Sequence, residues 1–150
     1  MPYLFDTNHC IYLMNGWNTP EDKRTPEEHK TVNGLEQLAH DVVYMSEASV
    51  GELIYGIERS QRKASNRMRF HVLLSAVPPV PIVRGVWDIY GTTKAELSVK
   101  GIRIPDIDLL IASTAKYYEL ILVANDQHMR HLPKSFRREN WVTHIPKREE

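Results

Sequence analysis

The chain has 150 residues, with 19 Lys+Arg against 19 Asp+Glu and a formal net charge of zero. That length fits one domain with a buried core, and the balanced charge excludes an overall basic field for nucleic acid, leaving local patches for that purpose. A single cysteine, Cys10, excludes an internal disulfide framework, and no apolar run nears the roughly 20 residues that cross a membrane. With no basic-then-apolar leader, the expectation is a soluble cytoplasmic protein with no membrane partner.

Residues 2–5 read as a strand apolar on both faces, as a central parallel strand is. Asp6, Thr7 and Asn8 end it and suit the cap of a helix through Ile11, Tyr12 and Leu13, stopping near Asn15-Gly16. The polar span 17–30, with two prolines, reads as a loop leading into a helix over about 27–39 with Val32, Leu35 and Leu38 on one face. A strand at 42–45 follows, with Ser46 as helix cap. The next helix, about 47–61, has a buried stripe of Val50, Leu53, Ile54 and Ile57. Glu52, Tyr55 and Arg59 share a different face of it.

A helix over 64–75 is expected to turn Met68, Val72 and Leu73 inward. The span 78–83, Pro-Pro-Val-Pro-Ile-Val, reads as a break followed by a short edge-like strand. A helix over 85–99 carries Val86, Ile89, Tyr90 and Leu97 and ends at Lys100-Gly101. A helix at about 107–118, a buried strand at 120–124 and a last strand at 141–145 complete the chain. Residues 1–145 form the expected core of one domain spanning 1–150, and 146–150 a frayed tail. Alternating strands and helices predict an α/β fold with a parallel sheet.

In such sheets, ligands bind beyond the carboxyl ends of the strands. Asp6 and Asp126 both follow apolar strands, so topology brings them to one edge although 120 residues separate them. With Glu52 and Asp108 they make four candidate carboxylates. Their charges repel unless a cation neutralises them. Hard oxygen ligands suit Mg²⁺ or Mn²⁺ rather than Zn²⁺, and such an ion assists attack by water on a phosphodiester. Bland readings compete at each position. Asp108 sits in a first helical turn, where an acid complements the macrodipole. Asp106, after Pro105, reads as a helix cap. Glu52 alone reads as a solvated helix face, and Asp126 as turn chemistry. Asp6 is the hardest to dismiss, and needing all four bland readings at once weakens them.

The residues then resemble a known family. Leu4-Phe5-Asp6-Thr7-Asn8 resembles the opening motif of PIN-domain ribonucleases. Residues 45–58, with Glu52-Leu53 followed by Gly56, resemble the second, 108–115 the third, and 123–129 the fourth. All four stand in order, and the closest likeness is to VapC-like toxins of toxin–antitoxin pairs. The resemblance implies an α/β/α sandwich with a central parallel sheet of about five strands. It implies Mg²⁺- or Mn²⁺-dependent endonucleolytic cleavage of RNA, a homodimer, and inhibition by a small cognate antitoxin. It makes Asp6, Glu52, Asp108 and Asp126 the acidic metal site, with Asp106 a possible substitute for the fourth acid, and Thr7 or Asn8 the polar helper. The chain departs from the family at Ala124, where Thr or Ser is usual, and at Met129, where Phe is usual.

Substrate phosphates need cations. Arg59, Arg62, Lys63, Arg67 and Arg69 form one candidate group, with Arg59 best placed beside Glu52. Arg130, Lys134, Arg137 and Arg138 form a second, following Asn125, itself a candidate for substrate positioning. Trp17 and Trp87 are candidates to stack on unpaired bases, although Trp87 also fits a core or dimer interface. Two rival classes stay open: an Asp phospho-acceptor domain using Asp6, and a PIN-like module that binds RNA or protein without catalysis.

Overall fold

A computed structural model describes residues 2–38, 42–125 and 127–142. Strand β1 (Tyr3–Phe5) is the centre of a five-stranded sheet. The others are β2 (Val43–Ser46), β3 (Pro79–Val80), β4 (Ile121–Val123) and β5 (Arg138–Glu139). Their spatial order is β3-β2-β1-β4-β5, and every pairing is parallel. Phe5 stands opposite Met45 and Val123, and Val123 opposite Glu139. The carboxyl ends of β1, β4 and β5 therefore lie side by side.

The helices are α1 (Thr7–Trp17), α2 (Pro26–Gln37), α3 (Glu47–Arg59), α4 (Lys63–Ala76), α5 (Arg84–Val99) and α6 (Asp106–Tyr117). Alternate strand residues face opposite layers. Tyr3, Phe5, Val43, Met45, Ile121 and Val123 join a core with Leu13, Val32, Leu53, Ile57, Phe70 and Leu73 from α1 to α4. Leu4 and Leu122 face the other way and join Leu97, Leu109 and Ile111 from α5 and α6. This is the expected α/β/α sandwich. Both faces of the central strands are covered, which is why they are apolar throughout.

Helix α6 is buried from Leu109 through Ala115. Small residues at 112–115 let its neighbours approach, and its hydroxyls are satisfied inside the fold. Ser113 and Thr114 donate to the carbonyls of Leu109 and Leu110 at 2.7 and 2.8 Å. Thr114 Oγ1 also lies 3.0 Å from Ser46 Oγ, which joins α6 to the cap of α3.

Several local expectations are corrected. The span 17–30 is not all loop, because a 3-10 turn occupies Glu21–Lys23 and α2 begins at Pro26. Thr25 and Glu28 form a reciprocal capping box there, with Pro26 at the first helical position. Helix α1 continues past Asn15-Gly16 to Trp17. Gly16 serves the crossing with α2, since a Cβ there would come 2.7 Å from Val32 Cγ2. Met68 and Val72 are 72% and 61% exposed, and α4 buries Phe70 and Leu73 instead. The edge strand pairs at Pro79–Val80 and ends before Ile82. Trp87 is 48% exposed and so is not core.

The strand beside β4 is Arg138–Glu139; of the strand expected at 141–145, Trp141 and Val142 form a turn, and 143–145 lie outside the described residues. Burial decides this. Trp141 is wholly buried, edge-on to Tyr3 and Phe5 at 5.4 and 5.1 Å between ring centres, and its Nε1 donates to Glu139 Oε2 at 3.0 Å. A charged two-residue strand is well suited to a sheet edge.

Candidate active site

Asp6 follows the middle strand and caps α1. Its Oδ1 accepts the backbone N–H of His9 at 2.8 Å and lies 2.8 Å from His9 Nδ1. A carboxylate oxygen can only accept, so Nδ1 carries the donated proton. Two donors on one oxygen fix the rotamer of a carboxylate that is only 5% exposed. The His9 ring is itself wholly buried, tilted against Phe5 and edge-on to Tyr12, and its Nε2 has no hydrogen-bond partner among the described residues.

The next residue ties in a second acid. Thr7 Oγ1 lies 2.5 Å from Glu52 Oε1 and 3.0 Å from Ser49 Oγ. A hydroxyl has one proton and Glu52 only accepts, so Thr7 donates to Glu52. Residues 45 positions apart thus meet because β1 and β2 are parallel neighbours, each followed directly by a helix. Ser46 caps α3, accepting the N–H of Ala48 at 3.1 Å, and this sets the angle at which the Glu52 face meets α1.

Asp108 is half-buried in the first turn of α6, which Thr114 links to Ser46. Asp106 belongs to another grouping. It is exposed, its Oδ1 accepts Lys94 Nζ at 2.9 Å and Tyr90 OH at 3.0 Å, and the bond from Lys94 holds its carboxyl below the usual range. Pro105, not Asp106, is the cap residue of α6. Asp126 lies outside the described residues.

Arg59 is exposed two turns beyond Glu52. Its guanidinium bonds Tyr55 OH at 3.0 Å and sits 5.6 Å over that ring, so the expected shared face of Glu52, Tyr55 and Arg59 is present. Asn8 is exposed in the first turn of α1. Asn125 is half-buried after β4 and lines a cavity with Arg130 and Arg138.

The donor set at this edge is carboxylate and hydroxyl oxygen without thiolate, which suits a hard divalent cation. Asp6 and Glu52, brought to this edge through the adjoining residues Asp6 and Thr7, are carboxylates that could contribute to holding one. No three Asp, Glu, His or Cys side chains among the described residues stand together as a complete cage. Cys10 is buried, and burial followed by the charge of Asp6 pushes its thiol well above its ordinary range. It is therefore no nucleophile at neutral pH.

A family model for the PIN domain matches residues 3–135. The chain belongs to the PIN-domain family. Ribonuclease VapC2 of Rickettsia felis is 32% identical over 143 residues, covering 94% of this chain and 98% of that protein. The crystal structure of VapBC2 from Rickettsia felis bound to a promoter DNA fragment superposes with a TM-score of 0.80 at 31% identity, covering 94% of this chain and 99% of that one. DNA-bound VapBC from Salmonella typhimurium gives 0.80 at 25% identity, covering 94% and 98%. The VapC-like resemblance and the fold expected from it are thereby established.

In this PIN domain, two departures from the family pattern fall in the second core. Ala124 and Met129 are 6% and 1% exposed, so both substitutions change packing behind the edge. Sequence reading missed His9 and Ser49. A signal existed for each: His9 stands three residues after an acid that caps a helix, and Ser49 three residues before Glu52 on the same helix face.

Proposed function

We propose that this chain is a divalent-metal-dependent endoribonuclease, the toxin of a toxin–antitoxin pair, acting in the cytoplasm on RNA. The observation that carries the reading is the linked pair Asp6 and Glu52 at the carboxyl end of the central strand, in a chain whose relatives are VapC ribonucleases. Structural neighbours that are VapBC complexes support an antitoxin partner. The roles of Asp6, Glu52 and Asp108 as metal ligands, Mg²⁺ or Mn²⁺ as the metal, and Asp126 as fourth acid belong to this proposal.

His9 holds Asp6 in one rotamer, so no reorganisation is needed when a cation is bound. Thr7 restrains Glu52 and keeps its second oxygen for another partner. When bound, the cation supplies a Lewis acid and a more readily ionised water. We assign Asn8, exposed in the first turn of α1, and Arg59, exposed two turns beyond Glu52 on α3, to phosphates flanking the scissile bond. A homodimer suits the exposed apolar residues Val83, Trp87 and Tyr117 where α5 and α6 meet; the Tyr117 ring lies against Gly85.

The test is cleavage of total cellular RNA by purified protein, with and without Mg²⁺ or Mn²⁺, beside Asp6→Asn. The amide keeps the shape and removes the charge. Discrete fragments that require the metal and vanish in the variant are the expected result. Intact RNA under every metal condition, from protein free of antitoxin, overturns the catalytic reading and leaves a binding module.

A further inference from the structure

The mechanism leaves one polar cavity among the described residues unused. It holds about 300 Å³ and is lined by Ala124, Asn125, Arg130, Arg138, Glu139 and Asn140. It continues the edge on which Asp6 stands. The Asp6 N–H donates to Val123 O at 3.1 Å, and the next residue, Ala124, donates its N–H to Glu139 O at 3.1 Å. Asp6 is thus two strand spacings, about 10 Å, from the end of β5.

We propose that this cavity is a subsite for an unpaired nucleotide beside the scissile phosphate, with Arg138 and Arg130 on its phosphate and Asn125 on its base. The inference rests on the ribonuclease reading and adds the substrate's form to it. Charge favours it. Arg138 is exposed and has no acidic partner among the described residues, whereas Arg67 and Lys63 in the other basic group are both taken by Glu58, at 3.0 and 3.8 Å. Glu139, the one carboxylate among the described lining residues, accepts the Trp141 N–H. Arg130 Nε lies 3.4 Å from His131 Nε2, and its terminal guanidinium nitrogens have no hydrogen bond among the described residues. Asn140 Oδ1 accepts the Val142 N–H and so shapes the wall. A guanidinium pairs with phosphate in a forked geometry, and the Asn125 amide offers both donor and acceptor to a base edge. A base reaches such a pocket only when unpaired, which makes single-stranded RNA or a loop the substrate form.

The experiment follows anisotropy of a fluorescein-labelled single-stranded RNA of mixed sequence with Asp6→Asn protein, across a range of salt. Arg138→Ala in that background should weaken binding on the order of tenfold and lower the salt slope by about one. Arg138→Lys should restore the slope but only part of the affinity, and Lys100→Ala should change neither. With Asp6 intact, the Arg138→Ala loss should fall on KM. The same RNA annealed to its complement should compete poorly. Binding unchanged in Arg130→Ala/Arg138→Ala at every salt, equal competition by duplex, or no binding of single-stranded RNA at all overturns the subsite. If the intact chain cuts RNA and Arg138→Ala cuts it equally well, the subsite fails and the nuclease reading stands. If binding depends on Arg138 but nothing is ever cut, the subsite stands and the nuclease reading fails.

Discussion

His9 spends a fully buried imidazole on one hydrogen bond to Asp6 and leaves Nε2 without a partner among the described residues. An orphaned buried acceptor costs stability, so the bond to Asp6 is where the residue's value lies. His9→Phe keeps a ring of similar size and removes the donor. The metal concentration for half-maximal cleavage should rise about 10- to 100-fold, the usual effect of losing a group that orients a ligand. His9→Asn, whose amide stands near the place of Nδ1, should recover part of it. A metal requirement unchanged in His9→Phe would remove the orienting role. At this scale the acids were legible and their partners were not. Asp6, Thr7, Glu52 and Asp108 stand in recognisable motifs, whereas the orphaned Nε2 and the Thr7–Glu52 bond exist only once helices α1 and α3 are set side by side.

Among the elements, α2 shows what local chemistry alone decides. Thr25, Pro26 and Glu28 carry the start of this helix within four residues, through the capping box and a proline that has no N–H to waste. Thr25→Ala should cost about 1 kcal/mol, read as a lower urea midpoint with an unchanged slope. Helix α4 shows the opposite. Met68 and Val72 lie four apart, and Phe70, Leu73 and Val77 lie three and four apart, so both sets have helical periodicity. The sheet-facing set is buried and the other is exposed beside Trp17. Periodicity cannot choose between two stripes; the position of the sheet does.

For the molecule as a whole, the outer surface of α5 and α6 carries the proposed pairing of two copies. Val83, Trp87 and Tyr117 are 37%, 48% and 43% exposed. An isologous contact there would bury the same patch on both chains. Light scattering should give twice the mass of one chain. Trp87→Glu should halve it while circular dichroism stays unchanged, because the side chain already projects from the core. A monomeric mass for the unaltered chain would end the dimer proposal.

Apolar runs of three or four residues separated by helical stretches suffice for a parallel α/β fold, because only buried central strands are apolar on both faces. Four acidic motifs in order suffice for the family, because each is local and adjoins a strand end or helix start. The sequence by itself therefore determined the architecture, the family and the acids that adjoin the strand ends. Tertiary structure alone decided which distant groups pair. It gave Asp106 to Lys94, Glu58 to Arg67 and Glu52 to Thr7. It also decided that Arg138 and Glu139, not Trp141 and Val142, form the strand that pairs with β4. The reason is physical: strand and helix starts follow from neighbouring residues, whereas pairing and burial depend on groups that only the parallel crossovers bring together.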